Sequence, residues 1–280
     1  MRIFITGSRG QLGTALWKRL SADHTLEAGD LPDWDMTDPG GAAQRIIDFA
    51  PDVVIHAAAM TNVDYAAEHP EEAVRVNGIG TYNVVMACRE VGAALVHVST
   101  NEVFDGQASR PYQEYDARRP INPYGYSKFV AEQVVERFAP QYAIVRTAWL
   151  YGPNGVNFIH KILQRARAGQ ALRVVTDEVG SPTYVCDLAD GIARLVELER
   201  PGVFHLVNAG ACSRYEFAQE IVRLAGLDVP IEPITSDAFK RASTPPPYAP
   251  LDNVFAAALG VSLRPWQEAL AEYIREHESA

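Results

Sequence analysis

The chain has 280 residues, of which 48% are hydrophobic and 21% are charged, and its formal net charge is −10 at pH 7. This length and hydrophobic content suit one large domain, or a main domain that carries a smaller lobe. The acidic charge disfavours nonspecific binding to nucleic acid and to anionic membrane surfaces, because both need clustered Lys and Arg. We therefore expect no nucleic-acid partner and no membrane partner, whereas an anionic small substrate stays compatible, since a pocket can be locally basic.

The cysteines are few and scattered. Cys88, Cys186 and Cys212 form no CxxC pair and no cluster with histidine, which argues against a zinc site and against a disulfide framework. The apolar start, residues 1–6, is too short for a signal segment or a membrane span. The sequence therefore predicts no bound metal and a reducing, cytoplasmic location.

Short β-branched segments alternate with amphipathic segments through the first 150 residues. This alternation is typical of parallel strands joined by crossover helices, and it predicts an α/β fold with a Rossmann-type doubly wound parallel sheet. The predicted strands are residues 2–6, 26–30, 53–58, 95–99 and 143–147. The predicted helices are residues 11–20, 41–50, 71–91 and 124–138.

Beyond residue 150 the alternation loosens, and turn signals occur at residues 152–155 and 180–183. We expect a smaller, interleaved C-terminal lobe that binds substrate, built from residues 151–183 and 211–280. The main domain takes residues 1–150 together with a returning segment near residues 184–210. A strand predicted at residues 203–207 carries this segment back into the main sheet.

A glycine-rich turn follows the first predicted strand and opens the first predicted helix. Because glycine has no Cβ, Gly7, Gly10 and Gly13 let the backbone approach a dinucleotide pyrophosphate, which then sits at the helix N-terminus. Ordinary turns can have the same spacing, but a strand before the turn and a helix after it are the setting that this fingerprint requires. The sequence therefore predicts that Gln11, Leu12 and the three glycines bind a cofactor in the main domain.

Two residues near this turn bear on which dinucleotide binds. Asp30, at the end of the second predicted strand, is placed to accept hydrogen bonds from the adenosine ribose, which favours NAD(H). Arg9 can instead pair with a 2′-phosphate, which favours NADP(H). Because either side chain can equally be a solvated surface charge, the sequence leaves both NADP(H) and NAD(H) open.

Two further segments are placed to contact the cofactor. Asp35 and Met36 can cap the adenine, with the carboxylate near the exocyclic amine and the thioether on the ring. Ala59, Met60 and Thr61 end a run of small residues after the third predicted strand, where the backbone can pass close to a flat cofactor. A tight helix crossing explains the small residues equally well.

Tyr124 and Lys128 are predicted to supply acid–base chemistry. Their i,i+4 spacing places both side chains on one face of a helix, where the ammonium can stabilise a phenolate and lower the phenol pKa. Ser99 and Thr100, at the end of the fourth predicted strand, offer two hydroxyls, one of which can donate a hydrogen bond to a carbonyl oxygen as hydride arrives. The alternative for the pair is an exposed helical Tyr and Lys. With the glycine-rich turn, these residues predict a hydride-transfer enzyme.

Trp149 follows the fifth predicted strand, at the edge where open α/β sheets bind ligands. Its ring can pack on the apolar face of a sugar or into the core. His56, His97 and His205 fall on predicted strands among apolar neighbours. We expect these histidines to be buried and not to be metal ligands.

Together these motifs resemble an extended short-chain dehydrogenase/reductase and, within that group, the dTDP-4-dehydrorhamnose reductase family. The resemblance covers nearly the full chain. The residues that carry it are 7–13, 57–61, 63–64, 99–100, 103–106, 124–128, 146–149, 180–183, 251–253 and Trp266.

The resemblance implies that NAD(P)H reduces the 4-keto group of a dTDP-6-deoxy-L-hexulose, which converts dTDP-4-dehydrorhamnose to dTDP-L-rhamnose. Tyr124 would be the proton donor, and Lys128 would bind the nicotinamide ribose and lower the phenol pKa. Three residues would bind the sugar. Thr100 would polarise the ketone, Trp149 would contact the ring, and Asn101 would hydrogen-bond a hydroxyl.

The chain departs from the family's pattern at four positions. Asn101 and Glu102 stand where the family commonly has aspartate and tyrosine, and Ala67 stands in place of a glutamate. Ala15 occupies the position of a glutamate that holds magnesium in some relatives. The resemblance therefore implies no metal in this chain, and it specifies the class of reaction better than it specifies the sugar.

Other interpretations stay open. A 4-epimerase, or a reductase of another sugar nucleotide, can use the same three residues for oxidation and reduction. A noncatalytic regulatory subunit, resembling the beta subunit of methionine adenosyltransferase, can use the same fold. The sequence does not determine the oligomeric state, and a homodimer is compatible with it.

Overall fold

The structure, a computed structural model, describes residues 1–278 of the chain. Its strands are β1 (Arg2–Thr6), β2 (Thr25–Gly29), β3 (Val53–His56), β4 (Ala94–Thr100), β5 (Tyr142–Thr147), β6 (Leu150–Tyr151), β7 (Leu172–Val175), β8 (Val179–Gly180), β9 (Thr183–Tyr184), β10 (Gly202–His205), β11 (Cys212–Ser213) and β12 (Ile231–Ile234).

The helices alternate with these strands. They are α1 (Gln11–Leu20), α2 (Pro39–Phe49), α3 (Val63–Glu68), α4 (Pro70–Val74), α5 (Gly80–Val91), α6 (Pro123–Phe138), α7 (Phe158–Arg167), α8 (Val185–Leu198), α9 (Arg214–Leu224), α10 (Val254–Ala258) and α11 (Trp266–His277). A π-helical turn (Arg75–Ile79) joins α4 to α5. Within residues 1–278, no helix combines the length and the hydropathy that a membrane crossing needs.

Six strands form one parallel sheet in the order β10-β5-β4-β3-β1-β2. From β1 the chain first adds β2 on one side and then β3, β4 and β5 on the other, so the sheet is doubly wound with a switch point between β1 and β3. The prediction of a Rossmann-type α/β fold is confirmed. The strand predicted at residues 203–207 lies at Gly202–His205 and pairs with β5 at the edge of this sheet.

Helices cover both faces of the sheet. Helices α1 and α8 pack on one face, where Leu16 and Ile192 are fully buried, and α2, α5 and α6 pack on the other, where Ile46 is fully buried. A separate core lies between α7, α9 and α11, around Phe217 and Tyr273. We propose that these cores mark a main domain of residues 1–150 and 184–210 and a substrate lobe of residues 151–183 and 211–280.

The helix predicted over residues 71–91 is wrong as a single element, because the π-helical turn interrupts it. Asn77 lies on this turn, and its side chain accepts a hydrogen bond from the Met60 amide at 2.8 Å and donates one to the Met60 carbonyl at 3.1 Å. A π turn inserts one residue into the helical repeat. The inserted residue turns the Asn77 side chain inward, where it hydrogen-bonds the Met60 backbone. No pattern in the neighbouring residues predicts this turn.

Two other predicted boundaries differ for local reasons. The strand predicted to residue 58 ends at His56, because the Ala58 amide leaves the ladder and donates to Thr6 Oγ1 at 3.1 Å. The helix predicted to begin at residue 41 begins at Pro39, since the Asp38 carboxylate caps the amides of Gly40 and Gly41.

Glu132 fastens α6 to the sheet. Its fully buried carboxylate accepts hydrogen bonds from Ser99 Oγ of β4 at 2.6 Å and from Arg146 Nε of β5 at 2.9 Å. Arg118 donates to the same carboxylate at 2.8 Å. Burial raises the pKa of Glu132, but the hydrogen bond and charge of Arg146 outweigh it, so the pKa is lowered and the group is ionised.

Removing this carboxylate should therefore destabilise the fold strongly. We expect Glu132→Ala to lower the free energy of unfolding by about 3–5 kcal/mol, because Arg146 would stay buried without its counter-charge. Glu136→Ala is the matched control: Glu136 lies one turn further along α6, its side chain is 30% exposed, and it pairs with Arg118. A partly exposed pair of this kind contributes about 1 kcal/mol. Urea unfolding measures both, and equal losses would contradict the assignment.

Candidate active site

A cleft of about 930 Å³ opens where strands of the main sheet end. The residues that the sequence singled out for cofactor binding, substrate binding or proton transfer all line it: Gly7, Gly10, Gln11, Leu12, Gly13, Asp30, Asp35, Met36, Ala59, Met60, Thr61, Thr100, Asn101, Tyr124, Lys128 and Trp149. The fold gathers them because the carboxyl ends of parallel strands share one edge. The individual roles stay predictions.

Close backbone contacts shape the glycine-rich turn. Gly7 has a φ of +68°, and a Cβ on it would lie 2.7 Å from the Ala58 Cα. A Cβ on Gly13 would lie 2.1 Å from the Gly7 carbonyl oxygen. Helix α1 begins at Gln11 without a capping side chain, so its first amides are available to an anion. The turn therefore fits a pyrophosphate.

Buried polar atoms along the cleft point to the same group. Within the described residues, Gln11 Oε1 and Thr147 Oγ1 are buried and have no hydrogen-bond partner, and both residues line the cleft. Such atoms are normally satisfied by a neighbour or a bound group. Together with the uncapped helix, they show that the residues present fit a dinucleotide.

The end of the cleft that is predicted to bind adenosine is a hydrogen-bonded turn. The Asp30 carboxylate accepts hydrogen bonds from the Arg9 amide at 2.7 Å and from the Leu31 amide at 2.8 Å. The Arg9 guanidinium pairs with the Asp33 carboxylate and donates to the Leu31 carbonyl at 2.5 Å. Neither Arg9 nor Asp30 is therefore an isolated surface charge.

The predicted adenine cap is partly a core element. The Asp35 carboxylate accepts a hydrogen bond from the Thr37 amide at 2.8 Å, which folds the segment back on itself. The Met36 side chain is only 6% exposed, and a Cβ on Gly80 would lie 2.8 Å from its Cγ. Met36 thus borders the cleft while it packs against α5.

A line of buried hydrogen bonds begins beneath the glycine-rich turn. Thr6 Oγ1 contacts His56 Nδ1 at 2.7 Å, and His56 Nε2 contacts Thr81 Oγ1 at 3.0 Å. The Thr81 hydroxyl donates to the Asn77 carbonyl at 2.5 Å, so it accepts from His56 Nε2. His56 is therefore neutral with its proton on Nε2, and burial lowers its pKa to about 3.

Asn77 continues this line to α6. Its Nδ2 donates to Ser127 Oγ at 2.8 Å, and the Ser127 hydroxyl donates to the Tyr124 carbonyl at 2.7 Å. The same Asn77 amide holds the backbone of Met60. The two sides of the cleft, the turn after β1 and the start of α6, are thus joined through buried polar groups.

Tyr124 lies in the first turn of α6, which Asn122 caps by accepting a hydrogen bond from the Gly125 amide at 2.8 Å. Burial and the nearby Glu102 carboxylate raise the pKa of the Tyr124 phenol, while a hydrogen bond with Thr100 acts in the opposite direction. The phenol is therefore protonated at neutral pH, which is the form that a proton donor needs.

Lys128 follows Tyr124 by one helical turn and is 2% exposed. Its Nζ lies 3.4 Å from His97 Nε2, and burial lowers the pKa of Lys128 to about 8 although Glu132 opposes the shift. Burial also lowers the pKa of His97, which is therefore neutral. The lowering of the phenol pKa by Lys128 stays a prediction. Within residues 1–278, no group of three or more His, Cys, Asp and Glu side chains is arranged to hold a metal ion.

Trp149 lines the cleft just after β5. Its backbone has a φ of +44°, and its ring lies so close to Gly180 that a Cβ there would be 2.4 Å from the indole Cε2. The Arg214 guanidinium stacks 3.5 Å from the ring centroid. The ring is thus held by packing against the protein while it borders the cleft, and its contact with a sugar stays a prediction.

Asn101 is engaged within the protein. Its side chain is 5% exposed, its Nδ2 donates to the Ala249 carbonyl at 3.1 Å, and its Oδ1 accepts from Thr100 Oγ1 at 3.3 Å. These bonds fix the segment that follows β4. A hydrogen bond from Asn101 to a sugar stays a prediction.

Sequence reasoning missed several charged residues of the cleft as site residues, among them Glu102 and Arg214. Glu102, visible only as a departure from the family pattern, accepts a hydrogen bond from Asn122 Nδ2 at 2.6 Å, and burial raises its pKa. Arg214 lies 3.8 Å from Glu178, and burial lowers its pKa to about 10. No local motif marked Arg214, because it reaches the cleft from the first residue of α9.

Comparison with known proteins gives consistent results. The family model described as RmlD substrate binding domain matches residues 1–279. The spore coat polysaccharide biosynthesis protein SpsK of Bacillus subtilis is 36% identical over 100% of this chain and 99% of its own length. A dTDP-4-dehydrorhamnose reductase of Mycobacterium tuberculosis is 39% identical, covering 96% of this chain and 91% of that protein. The crystal structure of dTDP-4-dehydrorhamnose reductase from Bacillus anthracis in complex with NADP superposes with a TM-score of 0.95, at 36% identity, over 98% of this chain and 99% of that one.

The doubly wound sheet, the glycine-rich turn and the Tyr124–Lys128 pair define a dinucleotide-dependent oxidoreductase of the Rossmann type. Within that class, the chain belongs to the RmlD substrate binding domain family.

The buried histidines predict how stability changes with pH. Burial lowers the pKa of His56 and His205 to about 3 and that of His97 well below its ordinary value. Below about pH 6.5 the unfolded chain therefore binds more protons than the folded chain, so acidification destabilises the fold. We expect a loss of about 1.4 kcal/mol per histidine for each pH unit between about pH 6 and 4.5.

Urea unfolding at about pH 7, 6 and 5 measures this slope. A His56→Gln variant should lose one histidine's share of it, about a third. A free energy of unfolding that stays constant from pH 7 to 5 would contradict the neutral state of these residues.

Proposed function

We propose that the protein is an NAD(P)H-dependent reductase of the 4-keto group of a dTDP-6-deoxy-L-hexulose, converting dTDP-4-dehydrorhamnose to dTDP-L-rhamnose. The observation that carries this proposal is that Thr100, Tyr124 and Lys128 line the same cleft as the glycine-rich turn. The named relatives with this activity and the neighbour solved with NADP support it. Under the proposal the partner of the chain is a dTDP-linked sugar, and a homodimer is compatible with it.

In the proposed reaction the chain's own residues handle the proton. A reduced nicotinamide, when bound, would supply the hydride for the ketone carbon. The Tyr124 phenol donates its proton to the ketone oxygen, which becomes the product hydroxyl. Thr100, hydrogen-bonded to Tyr124, polarises the same oxygen. The Lys128 ammonium, fixed one turn away, binds the nicotinamide ribose and stabilises the phenolate that remains.

The Tyr124→Phe variant tests this arrangement. We expect the turnover number to fall at least about 100-fold, because the variant has no proton to donate, with the fold retained. Tyr126→Phe is the matched control, since Tyr126 lies on the same helix and is 53% exposed. Lys128→Met should nearly abolish turnover, whereas Lys161→Met, at an exposed position of α7, should not.

The assay follows NADH and NADPH oxidation with freshly prepared dTDP-4-keto-6-deoxy-L-hexose. Wild-type turnover in either Lys128→Met or Tyr124→Phe would remove the proposed mechanism. If the wild type consumes neither cofactor, the substrate assignment fails. Interconversion of sugar epimers with bound NAD and no net consumption would instead indicate a 4-epimerase. Copurification of a partner enzyme, together with no activity on any keto sugar, would favour a regulatory subunit.

A second candidate is a reductase of a different nucleotide-linked hexulose. The observation that favours it is the presence of two charged side chains, Glu102 and Arg214, along the cleft near Tyr124 and Trp149. Charged groups at this position suit a sugar with a hydrogen-bonding substituent better than a methyl group. Comparing kcat/KM for dTDP-linked keto sugars that differ at C6 separates the two candidates.

A further inference from the structure

The residues that flank the adenosine end of the cleft carry one positive charge, on Arg9, and two negative charges, on Asp30 and Asp33. Arg9, Asp30 and Leu31 line the cleft. Asp33 follows Asp30 and Leu31 in the loop after β2, and its carboxylate pairs with Arg9. We propose that Asp33 holds the Arg9 guanidinium away from a 2′-phosphate and so makes this cleft prefer NADH to NADPH. The inference rests on the nicotinamide cofactor of the proposed function, and it deepens that proposal by naming the residue that selects the cofactor.

Asp30 is the first part of the selection. Both of its carboxylate oxygens face backbone amides, those of Arg9 at 2.7 Å and Leu31 at 2.8 Å, so the carboxylate is fixed at the end of β2. A carboxylate at this place accepts hydrogen bonds from the 2′-hydroxyl of an adenosine ribose. The same carboxylate repels a 2′-phosphate, which brings about −1.5 to −2 charges.

Arg9 is the group that would offset this repulsion, and it is already occupied. One arm of the guanidinium pairs with the Asp33 carboxylate, and the other donates to the Leu31 carbonyl at 2.5 Å. A 2′-phosphate would have to displace Asp33 from Arg9 while it lies beside two carboxylates. Because the Arg9 and Asp33 side chains are 58% and 62% exposed, solvent weakens their ion pair, and the selection is modest in size.

The same cleft offers a matched comparison. Arg75 also lines it, donating to Thr37 Oγ1 at 2.9 Å and lying 3.7 Å from the Glu72 carboxylate. Glu72→Gln therefore removes one negative charge from the partner of an arginine that lines this cleft, as Asp33→Asn does at the other pair. If only the charge of the cleft matters, both variants will act alike. If Asp33 occupies Arg9, only Asp33→Asn will change cofactor choice.

The test measures binding without catalysis. The first probes are 5′-AMP and adenosine 2′,5′-bisphosphate, which differ only in the 2′-phosphate, titrated by calorimetry into wild type, Asp33→Asn, Glu72→Gln and Arg9→Gln/Asp33→Asn. The second probes are NADH and NADPH, followed by nicotinamide fluorescence. Thermal unfolding confirms that the variants are folded, and the high exposure of Asp33 makes a folding defect unexpected.

We expect wild type to bind the ligand without the 2′-phosphate more tightly in both pairs, by about threefold or more. Asp33→Asn should improve binding of the 2′-phosphorylated ligands about fivefold and leave the others unchanged, and removing Arg9 as well should cancel the gain. The proposal is overturned if Asp33→Asn leaves the ratio of the two affinities unchanged, if Glu72→Gln shifts it equally, or if wild type binds neither adenosine probe. Since the two adenosine probes contain neither the nicotinamide nor the hexulose substrate, failure of the reductase assay would leave their outcome independent.

Discussion

The buried carboxylate of Glu132 fixes the helix that carries the proposed proton donor. Tyr124, Lys128 and Glu132 follow one another at four-residue intervals, so they lie on one face of α6. The last of them is bonded to Ser99 of β4 and Arg146 of β5. Because a buried ion pair tolerates little misalignment, α6 has one rotation and one height relative to the sheet. That position sets where the phenol meets Thr100 and where the ammonium meets His97.

A line of neutral, hydrogen-bonded polar groups also holds α6 in position. The hydrogen bonds from Thr6 through His56, Thr81, Asn77 and Ser127 allow one arrangement of protons, which determines the tautomer of the histidine. Every donor in this line has an acceptor, so the buried polar groups cost little free energy while they specify a unique geometry. The glycine-rich turn and the start of α6 are consequently connected by one set of buried hydrogen bonds.

Local spacing was enough to predict the fold and many of the residues that line the cleft. The glycine-rich turn, helix α1 and the Tyr124–Lys128 pair could be predicted because each is encoded within a few neighbouring residues. The π-helical turn could not, since it exists to bring Asn77 to Met60, seventeen positions away. Arg214 and Asp33 were missed for the same reason: their importance comes from contacts with Trp149 and Arg9, which only the folded chain reveals.

The backbone and the ring of Trp149 lie in different parts of the fold. Its backbone leaves the main sheet just after β5. Its ring packs against Gly180 and Arg214, which both belong to the proposed substrate lobe. Any rotation of the substrate lobe against the main domain must move this ring with the lobe or separate it from Gly180 and Arg214. If a hexose packed on the indole, it would favour the orientation of the lobe in which the ring lines the cleft. Sugar binding and the orientation of the lobe against the main domain would then be thermodynamically coupled.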